Sequence, residues 1–132
     1  MSNSNKPRIV LISPPVMANV GQMRKVPPPF GIAMLAAGLI ECGYDDVYLI
    51  DCVVEDYNNV RPVEDDPSFI IFGLSDQGLV ERLSQINPDF VGISALFSSQ
   101  TECAFSMARL IKKYFPKLPI AMGGNHATEC RQ

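Results

Sequence analysis

Four groups of residues have the types and spacing to receive a ligand: Ser13-Pro14-Pro15, Asp51, Ser94-Ala95-Leu96 and Gly123-Gly124-Asn125-His126. Each directly follows or closes a short apolar run. A glycine pair lets backbone approach a bulky ligand with no Cβ in the way. A serine hydroxyl at a strand end can donate to or accept from a polar group. His126 is the single histidine of the chain and follows the glycine pair. It reads either as a loop histidine bonded to backbone or as a rim contact. Ser94 likewise reads as a hydroxyl capping the next turn or as a ligand contact, and Asp51 as a helix cap or a solvated acid. The four cysteines, Cys42, Cys52, Cys103 and Cys130, are scattered with no C-x₂₋₄-C pair. No zinc or iron–sulfur ligand set is therefore expected in this stretch, and buried thiols in a reducing compartment are. With one histidine, no activated cysteine signature and no P-loop, no catalytic residue and no metal ligand is assigned.

These groups must be positioned by alternating strands and helices. Arg8 to Ser13 is a short apolar run of the kind buried on both faces of a parallel sheet, and Asp46 to Cys52, Asp89 to Ser94 and "PIAMGG" (residues 119–124) read as the second, third and fourth strands. Between them, "PPFGIAMLAAGLIECG" predicts a helix stopped at Gly43, with Met34, Ala37 and Ile40 facing the sheet and Gly31, Ala33, Ala36 and Gly38 allowing close approach. "SDQGLVERLSQINP" predicts a helix capped by Ser75, striped by Leu79, Leu83 and Ile86 and ended by Asn87-Pro88. "SSQTECAFSMARLIKKYFP" predicts a third, with Lys112 and Lys113 at its negative end. Residues 14–28 read as a loop, and 53–67 as an acidic, irregular, solvated segment. "FIIF" (69–72) reads as a short extra strand or as apolar packing.

The rhythm βαβαβαβ predicts an α/β fold: a Rossmann-like (flavodoxin-like) parallel sheet with helices on both faces. Residues 1–132 are expected to form a single domain, a fragment of a longer chain cut before the last helix and strand that would cover the strand-four edge. At 47% hydrophobic and 19% charged, the composition supports a real core. A net charge of −3 supplies no basic field for nucleic acid or anionic lipid. The longest apolar run, "PFGIAMLAAGLI", is shorter than the ~18–20 residues needed to span a bilayer, so a soluble cytoplasmic protein without a membrane partner is expected.

In such sheets, ligands bind outside the carboxyl ends of the strands. A dinucleotide would need a glycine-rich turn after strand one, where "SPPVMANVGQMRK" offers one glycine and two prolines lacking N–H groups. A phosphoacceptor domain would need an acidic cluster there, which Ser-Pro-Pro does not provide.

The blocks "RIVLISPP", "PPFGIAMLAAGLIECGYDDVYLIDC", "GLSDQGLVERLSQINPDFVGIS" and "IAMGGNHAT", in this order, resemble the N-terminal cobalamin-binding domain of B12-dependent radical SAM proteins. The wider cobalamin-binding fold carries Asp-x-His-x-x-Gly after strand one, Ser-x-Leu after strand three and Gly-Gly after strand four. Here Ser94-Ala95-Leu96 and Gly123-Gly124 supply the second and third elements. The first is missing: with Gly21 as its glycine, the acid and histidine fall at Val16 and Ala18. The resemblance therefore implies cobalamin held base-off, with no protein histidine beneath the cobalt. It also implies that Gly123 and Gly124 bound the cavity for the nucleotide tail, with Asn125 and His126 at its rim, and that Ser13, Pro14 and Pro15 at the end of strand one are among the cofactor-binding residues. Met17 and Met23 would press on the corrin face or fill an apolar gap.

By the same resemblance, the parent is a radical SAM methyltransferase. Its 4Fe-4S cluster and S-adenosylmethionine would sit in a further domain, the partner of this one, beyond Gln132, and this fragment alone would not be catalytic. Two competing readings remain. One is a degenerate domain of this shape without cobalamin, serving as scaffold or substrate-recognition module. The other is an independent small enzyme or nucleotide binder of flavodoxin-like fold.

Overall fold

The computed structural model describes residues 6–21, 30–95 and 98–123. Strand β1 (Ile9–Ser13) pairs in parallel with β3 (Val47–Asp51) on one side and β6 (Phe90–Ser94) on the other, and β7 (Ile120–Gly123) adds outside β6. The order β3-β1-β6-β7 places the first parallel strand inside the sheet, as the flavodoxin-like expectation requires. All five residues of β1 are buried, which explains its unbroken apolar run.

Side chains of β1 alternate between two cores. Val10 and Ile12 join Ile50, Val91 and Ile93 under helices α3 (Asp76–Ile86) and α4 (Ser98–Tyr114), which contribute Leu79, Leu83, Ile86, Ala104, Met107 and Ile111. Ile9 and Leu11 meet Ile32 and Ala36 of α1 (Phe30–Glu41) on the opposite face, so helices cover both sides. The predicted leucine stripe of α3 is the buried one. Its caps are also as read: Ser75 Oγ accepts from the Gly78 N–H at 3.1 Å, and Asn87 ends the helix at φ 56°. Gly43 is left-handed at φ 98°.

The face of α1 is a correction. Met34, Ala37 and Ile40 point away from the sheet, Met34 with 74% of its surface exposed, while Ile32, Ala36 and Leu39 pack inward. Before Glu41 this helix is apolar on every side, so its periodicity could not select a face.

The second correction is an added layer. Residues 14–28 are not all loop, and 53–67 are not irregular. Strand β2 (Val16–Asn19) follows β1 after only two prolines and pairs antiparallel with β5 (Asp66–Phe72), which pairs in turn with β4 (Val60–Val63). "FIIF" is the C-terminal half of β5. Pro62 is tolerated because β4 is an edge of this three-stranded sheet, where a missing N–H breaks no second ladder. A one-turn helix, α2 (Cys52–Glu55), links the two sheets. Val16, Val53 and Phe72 form the small core beneath, with Tyr57 edge-on to Phe72 at 5.7 Å.

The junction is tight. Arg61 Nη1 donates to the Gly73 carbonyl at 2.8 Å and to Asn59 Oδ1 at 3.0 Å. Gly73 itself has φ 127°, and a Cβ there would lie 3.1 Å from the Cys52 carbonyl and 3.2 Å from Pro15. At the amino end of the large sheet, Arg8 bridges neighbours by pairing with Asp46 at 2.9 Å and donating to the Ile86 carbonyl at 2.7 Å.

Candidate functional site

The last residues of the parallel strands form a row. Ser13 is in register with Asp51, and Ser94 with Gly123. Behind the right half of this row, between α1 and the surface of β6 and β7, lies a cleft of about 360 Å³. Its floor is made of small residues. Gly92 stands opposite Ala121 and Ser94 opposite Gly123, all on the face towards α1. Its walls are Leu11, Ile32, Leu35, Leu39 and Phe90.

The glycines keep this space open. A Cβ at Gly92 would come within 2.9 Å of Leu11 Cδ2, and one at Gly31 within 3.8 Å of Ser94 Oγ. A Cβ at Gly123, which lines the cleft, would meet nothing within 4 Å among the described residues. The Ala95 N–H donates to the Gly123 carbonyl at 2.6 Å and closes the two strand ends together. The arrangement suits a flat, largely apolar group slid between helix and sheet, with the Ser94 hydroxyl as polar contact.

The other predicted residues divide. Ala95 is buried as part of that strand-end closure. Ser13 and Pro14 are buried and tied to α4, because Gln100 Nε2 donates to the Pro14 carbonyl at 3.0 Å and to Ser13 Oγ at 3.4 Å. Pro15 leans on Gly73 and borders a second cleft beneath the small sheet, which Met17 also lines. Leu96, Met23, Gly124, Asn125 and His126 lie outside the described residues. Val16 and Ala18, where the fold's acid and histidine would fall, sit inside β2 and pair with Phe72 and Ile70.

Asp51 takes the cap role. Its Oδ1 accepts from the N–H groups of Val53 and Val54 at 3.2 and 3.4 Å, while Oδ2 is buried without a hydrogen-bond partner among the described residues. Burial raises its pKa above the ordinary aspartate value, against the lowering effect of the two N–H donors.

The second cleft, about 420 Å³, is lined by Arg61 and by the carboxylates of Glu64, Asp65, Asp76 and Glu102. Cys103 borders it, and burial pushes its thiol up to about 11, while Cys52 is raised further for the same reason. Both are therefore held as inert thiols at neutral pH. Among the described residues no three histidine, cysteine or acidic side chains group to hold a metal ion, and no helix is long and apolar enough to cross a membrane.

The floor residues Gly92 and Ala121 and the wall residue Gly31 were not singled out as site residues from the sequence. A signal existed: "VGIS" and "IAMGG" both alternate small and large residues with the period of a strand, so each offers one bare face.

The sequence profile described as B12 binding domain matches residues 16–132. The cytidylyl-2-hydroxyethylphosphonate methyltransferase of Streptomyces wedmorensis is 32% identical over 120 residues, which are 91% of this chain and 22% of that protein. The chain thus spans about 22% of the length of this curated relative. No solved structure gives a match. With the profile covering residues 16–132, the chain belongs to the B12-binding domain family.

Proposed function

We propose that this domain holds cobalamin base-off, with the nucleotide tail in the cleft between α1 and the floor of β6 and β7. The observation that carries the reading is the two-by-two floor of Gly92, Ser94, Ala121 and Gly123, open above Gly123. Ser94 would hydrogen-bond the buried tail, the wall leucines would exclude water from its base, and Gly123, Gly124, Asn125 and His126 would border the mouth. Ser13, Pro14 and Pro15 would support the corrin edge from the end of β1, with their backbone held still by Gln100.

No histidine from this chain lies beneath the cobalt in this reading, because the segment that would carry it is β2, committed to pairing with β5. Bound cobalamin would supply a cobalt-borne methyl group for transfer. The named relative is a methyltransferase, which supports a methyltransferase as the longer protein. In that protein a radical SAM domain with its 4Fe-4S cluster and S-adenosylmethionine would be the partner, in the cytoplasm.

The test is reconstitution with hydroxocobalamin, followed by gel filtration and a visible spectrum of the protein peak. Co-elution with a base-off spectrum is expected. A base-on spectrum would remove the tail from the cleft. No retained corrinoid would favour a scaffold or substrate-recognition module, a reading to which the replacement of the histidine loop by β2 lends support.

A further inference from the structure

We propose that the cleft selects among corrinoids by their lower base, accepting a benzimidazole and disfavouring adenine. This rests on the base-off reading above. Among the described lining residues Ser94 has the only polar side chain; Leu11, Ile32, Leu35, Leu39 and Phe90 supply the walls. The peptide groups of β6, paired with β1 on one side and β7 on the other, are committed to the sheet and offer few free donors or acceptors.

A dimethylbenzimidazole displaced from cobalt presents one ring nitrogen able to accept a hydrogen bond, which one serine hydroxyl can satisfy. Its two methyl groups gain from contact with the leucines. Adenine presents several ring nitrogens and an exocyclic amine. One hydroxyl cannot serve them all, and polar groups buried unpaired weaken binding steeply. A cleft whose described lining offers one polar side chain is therefore expected to prefer the benzimidazole corrinoid by about 10- to 100-fold.

Leu35 gives a way to change this preference from outside the core. It lines the cleft yet is 58% exposed, so a polar residue there adds a partner without opening a cavity. The experiment is equilibrium dialysis of the chain, wild type and Leu35→Gln, against hydroxocobalamin and against the same corrinoid with adenine as lower base. Visible spectra of the bound forms are recorded alongside.

The expected result is tighter base-off binding of hydroxocobalamin by wild type, and a preference reduced at least about threefold in Leu35→Gln through gained adenine-corrinoid affinity. Equal base-off binding of the two corrinoids by wild type would overturn the selectivity and leave the base-off reading standing. Base-on binding of both, or retention of neither, would overturn both together.

Discussion

Ser94 and Gly123 stand opposite each other at the ends of neighbouring parallel strands, and the backbone N–H of Ala95 locks the pair through the Gly123 carbonyl. One residue brings a hydroxyl and the other brings nothing, and that inequality makes a floor with a single polar point. Gly123→Val tests it directly. A Cβ there meets no atom of the described residues within 4 Å, so the melting temperature should stay within about 2 °C while corrinoid retention falls at least about tenfold. Thermal unfolding and dialysis of the same preparation check both halves.

Gly73→Ala should behave in the opposite way. The position is left-handed, and the new methyl group would press on the Cys52 carbonyl and on Pro15, neither of which can rotate aside. A loss of about 2–4 kcal/mol in urea unfolding is expected. A variant as stable as wild type would contradict the tight junction between the sheets.

Asp51 should make stability depend on pH in an unusual sense. Its folded-state pKa is raised by burial, so protonation favours the folded form. The contribution is full below the ordinary aspartate value and is lost as pH rises through the folded value. Asp51→Asn should remove this dependence while keeping an acceptor for Val53 and Val54; Asp51→Ala should lose about 1 kcal/mol of capping. Urea midpoints measured across the acidic range, compared between wild type and Asp51→Asn, check the sign.

Gln100→Leu should destabilise the domain by about 1–3 kcal/mol, because the buried Pro14 carbonyl loses its donor. Gln100→Glu should recover part of that loss only at low pH, where the protonated acid can donate again. Identical stability of Gln100→Glu at high and low pH would argue against the contact.

Much of this was legible in the sequence because strong local signals agreed with one another. The β1 run, the Ser75 cap, the Leu79-Leu83-Ile86 stripe and the Asn87 stop each point to one solution. Where signals were absent, the reading failed for identifiable reasons. Strand β2 is four residues long and follows two prolines, leaving little periodicity to detect, and its partner β5 lies far along the chain. The face of α1 was hidden by its uniform apolarity. Ser94 and Gly123 were found as strand-end residues, but the bare floor they share with Gly92 and Ala121 depends on register between β6 and β7, which a single sequence does not state.

The floor of the cleft is divided between unequal strands. β6 is held on both sides, by β1 and β7, while among the described residues β7 pairs with β6 alone. Half of the site therefore rests on a strand that can fray while the rest of the sheet stays intact. A ligand lying across Ser94 and Gly123 would act as a staple, lending the margin of the sheet the stability of its centre by mass action. Occupancy and integrity of that margin then become one equilibrium, so an empty domain should be clipped by a protease first at β7 and a filled one should resist.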